Sequence, residues 1–244
     1  SEGWWNTIVA ADFDQDGDMD CMAGNMGLNT RFKVSPAQPM EVHAKDFDQS
    51  GSFDAVLSYF IKGEKVTVQG RDKLADQMPL FRRNYKTYAE FAKQNFEDIF
   101  TGNILINTLQ RKAVHFETSL LENPGNGNFI LKTLPVEAQI APIHNILVKD
   151  FNADGHTDAL LAGNFYGSDV IIGRYDAFNG LLLSGNGQGT FGVVPHYQSG
   201  FKADLDAREL AIISLASGRQ VVLVANNQDS LQAFIWQPGI APLP

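Results

Sequence analysis

The chain has 244 residues, of which 44% are hydrophobic and 11% aromatic, so it can bury a sizeable core and is not expected to be disordered. Its 28 acidic and 19 basic residues give a net charge of −9, which argues against a nucleic-acid partner, since such partners need a basic surface. No apolar stretch approaches the roughly 18 residues of a membrane span, and the single Cys21 excludes an internal disulfide.

Taken in chain order, three nine-residue segments share one pattern. Loop 1 (residues 12–20), loop 2 (46–54) and loop 3 (150–158) each have an oxygen-bearing side chain at positions 1, 3, 5 and 9 and a glycine at position 6. Hard cations take six to eight oxygens, which alternate residues of a tight loop can supply. The glycine allows a positive φ that turns later oxygens back toward the same centre. The pattern predicts three calcium loops, with position 7 offering its carbonyl.

The candidate ligands lie at positions 1, 3, 5, 7 and 9 of each loop. They are Asp12, Asp14, Asp16, Asp18, Asp20, Asp46, Asp48, Ser50, Ser52, Asp54, Asp150, Asn152, Asp154, His156 and Asp158. The alternative is that these residue types simply make good turns, which would explain one such run but not three with the same offsets. Eleven of the 28 acids lie in the loops, so three divalent ions would offset six of the nine net negative charges.

The flanks of the loops distinguish them from EF-hands. An EF-hand has a glutamate at position 12 and a helix on each side, whereas position 12 here is Ala23, Leu57 and Leu161. The neighbouring segments are short apolar runs with β-branched residues, which predict strands. Each loop is therefore expected to join two strands.

The chain between the second and third loops changes its pattern. Residues 61–70 predict a hairpin with its turn at Lys62 and Gly63. Residues 71–100 have apolar residues at three-to-four spacing, which predicts a helical insertion that Pro79 divides into two helices. Its six basic residues allow two interpretations, a partner-docking element or the solvated face of a packed helical pair.

Hairpin signals return in the second half. Asn-Gly pairs between apolar runs predict hairpins within residues 120–129 and 182–191. Residues 204–237 are interpreted as a degenerate unit, in which Asp204–Glu209 takes the loop's place without the glycine, so no calcium is expected there. Four sheet-forming units that cannot bury both faces alone predict an all-β repeat protein, a β-propeller or propeller fragment of about four blades over residues 1–244.

An acidic loop followed by an apolar strand and an Asn-Gly-x-Gly-x-Phe hairpin resembles the FG-GAP/VCBS repeat. That repeat builds the calcium-binding β-propeller of integrin α subunits and of large exported bacterial proteins that resemble cartilage acidic protein. Further shared cues are residues 27–31, 161–167 and 173–176. The resemblance implies the ligand set given above, with Ser50 and Asn152 as neutral replacements for acids. Because such propellers usually have about seven blades, it also implies a part of a larger ring, an unusually small propeller, or closure by association.

The resemblance and the metal loops together predict a calcium-stabilised, non-catalytic, extracellular or cell-surface module that binds or scaffolds a protein or a glycan. The chain opens without methionine, which predicts a piece of a longer protein. Histidine pairs typical of zinc hydrolases are absent from the sequence. The alternative is a carbohydrate-active lyase or hydrolase on the same fold. Six aromatic residues are candidates for ligand contact, with core packing as the alternative: Trp4, Trp5, Phe165, Tyr166, Tyr175 and Phe178.

Overall fold

The computed structural model describes residues 2–236, which form four antiparallel β-sheets. The predicted all-β class is confirmed. These residues divide into two compact units. The insert unit comprises residues 2–3 and 32–115, and the main unit comprises residues 4–31 and 116–236.

Three of the sheets belong to the main unit. Sheet A contains β1 (Thr7–Ala11), β2 (Asp20–Gly24), β7 (Ser119–Glu122) and β8 (Ile130–Thr133). Sheet C contains β9 (Ile143–Lys149), β10 (Asp158–Gly163), β11 (Leu181–Gly185) and β12 (Phe191–Val194). Sheet D contains β13 (Ala207–Ser214), β14 (Gln220–Asn226) and β15 (Gln232–Trp236). A short helix, α5 (His196–Ser199), and a 3₁₀ turn (Val136–Gln139) lie between strands.

The insert unit contains sheet B, which consists of β3 (Met40–Lys45), β4 (Asp54–Ile61), β5 (Glu64–Thr67) and β6 (Leu109–Ala113). Four short helices follow β5: α1 (Arg71–Gln77), α2 (Leu80–Asn84), α3 (Tyr88–Phe91) and α4 (Phe96–Ile99), with a 3₁₀ turn at Gly102–Leu105. The break at Pro79 is confirmed, although the segment holds four helices rather than two. Leu74, Met78 and Phe81 pack with Val56 of sheet B in one buried cluster. The apolar residues at three-to-four spacing therefore lie on the side of the helices that faces the core of the insert unit.

The strands of sheet A are discontinuous in the sequence. β2 pairs with β7, and β7 pairs with β8, so the Asn-Gly hairpin near residue 126 completes the sheet that carries loop 1. The whole segment 32–115, with loop 2 and sheet B, is inserted between the second and third strands of that sheet. The described residues form four sheets, as the four predicted units require, but the strands of sheet A are not consecutive in the sequence. Antiparallel pairing can resume across a long insertion at little additional loop-closure entropy.

A Gly-Asn pair ends the second strand of sheets A and C, at a point where another backbone segment passes close by. A Cβ at Gly24 would lie 2.6 Å from the carbonyl oxygen of Ile143, and one at Gly163 would lie 2.1 Å from that of Pro142. These positions need glycine because another backbone segment passes directly over them. The buried asparagine that follows donates its amide to a backbone carbonyl preceding the third strand, at 3.3 Å from Asn25 and 2.8 Å from Asn164.

The first strands of the main unit lie side by side, since β9 contacts both β1 and β13. Sheet C is thus the middle layer of a stack of three sheets, A, C and D. Its strand β10 is buried along all six residues. None of the helices in the described part of the chain is long and apolar enough to cross a membrane.

Candidate metal centres

Each acidic loop connects two adjacent antiparallel strands, as predicted. Loop 1 joins β1 to β2, loop 2 joins β3 to β4, and loop 3 joins β9 to β10. The position-6 glycines have φ values of 95°, 88° and 89° in loops 1, 2 and 3. Because that region is strained for other residues, the glycines are required by the turn itself.

The three loops share the same internal hydrogen bonds. The position-1 carboxylate accepts from the backbone N–H of position 6, at 3.2, 2.8 and 3.0 Å in loops 1, 2 and 3. The position-9 carboxylate accepts from the N–H of position 2, at 3.1, 3.1 and 2.8 Å. Side chains at positions 3 and 5 accept from the N–H two residues later. The loop path is therefore fixed by its own oxygen atoms, whichever oxygen-bearing residue supplies them.

A feature that the residue types do not signal is the conformation of position 4. Gln15, Gln49 and Ala153 all adopt positive φ, at 61°, 60° and 65°. Glutamine and alanine rarely take this conformation, which disfavours a residue with a Cβ by about 1 kcal/mol or more. Its recurrence at one position in three loops indicates that the common hydrogen bonds impose it.

Two groups of carboxylates converge. In loop 1, one oxygen from each of Asp12, Asp14 and Asp20 lies within 4.8 Å of the others, and in loop 2 the same holds for Asp46, Asp48 and Asp54. These are positions 1, 3 and 9 in both loops. None of the six carboxylates has a lysine or arginine within ion-pair distance among the described residues. Two sets of three carboxylates that could hold a metal ion are therefore present.

The electrostatics of these groups disfavour the fully ionised, ion-free state. Desolvation raises the pKa of Asp14, and the charges of Asp20, Asp16 and Glu122 raise it further. The pKa of Asp54 is raised by desolvation, and then by the charges of Asp48 and Asp46. Neighbouring like charges favour the protonated form of a carboxyl group. A divalent cation would reverse this effect.

The donor set fits a hard cation. All six converging side chains offer carboxylate oxygen, which is the ligand type that Ca²⁺ and Mg²⁺ prefer. In loop 1 the Oδ1 atom of Asp12 is buried and has no hydrogen-bond partner in the described structure. A buried carboxylate oxygen without a partner is unfavourable, and a bound cation would satisfy it.

Loop 3 follows the same backbone path as loops 1 and 2 but does not bring three carboxylates together. Desolvation raises the pKa of the buried Asp158, but position 3 is Asn152, and the described residues include no third group of three carboxylates. The Asn152 amide donates to Asp154 at 2.8 Å and to Ser184 at 3.1 Å. In this loop an amide N–H therefore faces a carboxylate.

Positions 5 and 7 lie outside the carboxylate groups. Asp16, Ser50 and Asp154 at position 5 are exposed, as are Asp18 and Ser52 at position 7, whereas His156 is half-buried. Their side chains contribute no atom to the two convergent groups. The clustering of positions 1, 3 and 9 follows from the fold, because position 9 is the buried first residue of the returning strand in each loop.

The assignment of the degenerate loop was wrong. Asp204–Glu209 precedes and enters β13, whereas the connection between the first two strands of sheet D is the turn near Gly218. Asp206 is buried and pairs with Arg208 at 2.7 Å. Arg208 also donates to His144 at 2.8 Å, and burial and the Arg208 charge lower the pKa of that histidine to about 4. Here an arginine supplies the positive charge that loops 1 and 2 lack.

The candidate contact aromatics separate into three groups by exposure. Phe178 and Tyr175 are core residues, with relative exposures of 3% and 9%, so for these two the alternative of core packing is confirmed. Trp4 is exposed at 39%. Trp5, Phe165 and Tyr166 are half-buried.

Comparisons with protein-family models, characterised proteins and solved structures found no match for this chain.

Proposed function

We propose that the chain is a calcium-stabilised β-propeller module, or part of one, in which Ca²⁺ braces the turn between the first two strands of sheets A and B. The observation that carries this proposal is the convergence of three carboxylates without a basic partner in loop 1 and again in loop 2. Calcium is favoured over magnesium because a flexible loop of side-chain oxygens suits its larger and irregular coordination shell.

The role of the ion is structural. Each loop joins strands that are already paired, and in loops 1 and 3 the position-9 carboxylate also links the loop to the segment of the third strand. Asp20 accepts the N–H of Asn123 at 2.8 Å, just after β7, and Asp158 accepts that of Gly185 at 2.9 Å in β11. A cation held between positions 1, 3 and 9 of loop 1 would therefore connect three strands of sheet A, and one held in loop 2 would connect two strands of sheet B.

The free energy involved is substantial. An ion that binds only the folded state stabilises it by RT ln(1 + [Ca²⁺]/Kd). For a millimolar supply and a Kd of about 10⁻⁴ M, as in extracellular modules, each site contributes about 1.4 kcal/mol. Two sites would contribute about 3 kcal/mol, a large share of a typical stability of about 5–15 kcal/mol.

The wider function follows the resemblance to FG-GAP/VCBS repeats. We propose an exported or cell-surface module that presents loops to a protein or glycan. The side-by-side first strands of sheets A, C and D support a propeller-like arrangement of the main unit. The alternative of catalysis on a carbohydrate is not favoured by any arrangement of side chains in residues 2–236.

Calorimetric titration of chelator-treated protein with Ca²⁺ tests the proposal. We expect two sites of similar affinity from loops 1 and 2 and a weaker one from loop 3. Asp12→Asn should remove the first site and Asp46→Asn the second. Asp18→Asn, in the same loop but outside the carboxylate group, is the matched control and should keep both. Absence of binding at millimolar Ca²⁺ would contradict the proposal.

A further inference from the structure

Sheet D carries apolar side chains on both faces. Because side chains alternate across a strand, β13 and β14 would read as alternating apolar and polar residues if only one face were buried. They instead contain the continuous runs Leu-Ala-Ile-Ile and Val-Val-Leu-Val-Ala. Continuous apolar runs are typical of strands buried on both sides.

One face of sheet D packs against sheet C. Leu210, Val222 and Val224 form a buried cluster with Leu160 and Ala162 of β10. The partly buried Ile212, Phe234 and Trp236 extend this cluster toward β15. This face therefore already has its partner layer inside the main unit.

On the opposite face of sheet D, the side chains of the two outer strands are exposed, whereas Val221 of the central strand is buried and Leu223 is half-buried. The strand register places Ile213, Val221 and Ile235 in one row across the sheet, and Ala211, Leu223 and Ala233 in the next. Ile213 and Ile235 are 41% and 53% exposed. A contiguous apolar sheet face in contact with water is typical of an interaction surface. We call these six residues the D face.

Sheet C is the example in this chain of a sheet whose two faces are both covered by neighbouring sheets. It is also apolar on both sides, and every residue of β10 is buried because sheets A and D flank it. Sheet D has the same two-sided character but one neighbouring layer among the described residues.

The other end of the stack is also open. In sheet A, the register places Ala10 beside Cys21, Leu121 and Leu131 in one row, and Ile8 belongs to the same face. Ile8 is 64% exposed and Leu131 is 39% exposed, whereas Met22 and Leu120 on the opposite face are buried. We call Ile8, Ala10, Cys21, Leu121 and Leu131 the A face.

We infer that the D face of one molecule packs on the A face of a second copy of this chain. The contact would repeat those already present between sheets A and C and between sheets C and D, in which one face of a sheet covers the opposite face of the next. Two copies that each use both faces would join head to tail and close as a dimer with two equivalent interfaces. This arrangement extends beyond the calcium sites and does not depend on them.

Sedimentation velocity of the 244-residue protein in 2 mM CaCl₂, from about 1 to 200 μM, tests the inference. We expect a concentration-dependent monomer–dimer equilibrium. Ile213→Glu on the D face and Ile8→Glu on the A face should each weaken dimerisation by at least about tenfold, since both bury a charge in an apolar interface. Val170→Glu, at a residue that is 96% exposed on neither face, is the matched control and should dimerise like the wild type.

An equimolar mixture of the two variants separates head-to-tail packing from other modes. The Ile8→Glu chain keeps its D face and the Ile213→Glu chain keeps its A face, so the mixture should form a heterodimer through one wild-type interface. A dimer that tolerates Ile8→Glu would use the D face alone and would overturn the inference, as would a monomer at 200 μM. Circular dichroism of each variant confirms that the fold is retained.

Discussion

Loop 1 and loop 3 occupy the same place in two sheets of the main unit and follow the same path, yet they differ in charge. Both have positive φ at positions 4 and 6 and share the hydrogen bonds from positions 1, 3, 5 and 9. Loop 1 brings three carboxylates together and loop 3 does not. The comparison shows that the turn conformation does not require the group of three carboxylates. Amide and carboxylate oxygens accept the hydrogen bonds of the turn equally well, whereas the carboxylates also supply the negative charge that attracts a cation.

Acidification should have the largest effect on the calcium dependence of stability. Protonation of the carboxylates removes the negative charge that distinguishes loop 1 from loop 3. Without calcium, the raised pKa values of Asp14, Asp54 and Asp158 mean that the folded state holds protons more tightly than the unfolded state. These groups therefore destabilise the ion-free protein as pH rises through those pKa values. Bound calcium would have the opposite effect, since it lowers them.

The difference in thermal stability between calcium-loaded and chelated protein should thus be greatest near neutral pH, at about 3 kcal/mol for two sites. It should vanish as the pH falls toward the ordinary aspartate pKa of 3.8. Melting curves with CaCl₂ or EDTA across this range provide the measurement. A calcium effect that persisted at the acid end would show that these carboxylates are not the ligands.

A reciprocal exchange at position 3 sharpens the comparison. Asp14→Asn converts loop 1 to the loop 3 pattern, and Asn152→Asp converts loop 3 to the loop 1 pattern. We expect the first change to weaken calcium binding at loop 1 by about tenfold, and the second to strengthen it at loop 3 by a similar factor, because ligand charge tunes affinity.

Titration calorimetry of both variants measures these changes, and Asp154→Asn, at the exposed position 5 of loop 3, serves as the control. If Asn152→Asp left loop 3 unchanged, the position-3 charge would not be what distinguishes the loops.

The smallest expected effect concerns the backbone that the loops share. Ala153 has a φ of 65°, so Ala153→Gly should relieve local strain and stabilise the protein by about 0.5 kcal/mol, with the entropy of glycine in the unfolded chain offsetting part of the gain. Ala159→Gly, in the buried strand β10, should instead destabilise. Urea unfolding of the two variants should therefore give shifts of opposite sign.

The sequence by itself determined the local structures. Oxygen-bearing residues with glycine at position 6 predict a loop, and β-branched flanks predict the strands around it, because these preferences act over a few residues. The hairpins at Lys62-Gly63 and at the two Asn-Gly pairs, and the helix break at Pro79, followed for the same reason.

The tertiary structure alone decided which distant segments meet. The local pattern predicted an insertion only at residues 71–100, and not over the whole of 32–115, because the pairing of β2 with β7 joins residues more than 90 positions apart. The residue types at position 4 likewise do not predict its positive φ, because hydrogen bonds to neighbouring oxygens impose that conformation. Arg208 neutralises the buried Asp206, whereas the carboxylates of loops 1 and 2 have no basic partner among the described residues. Which carboxylates are available to a cation depends on where the other charged side chains lie in the folded chain.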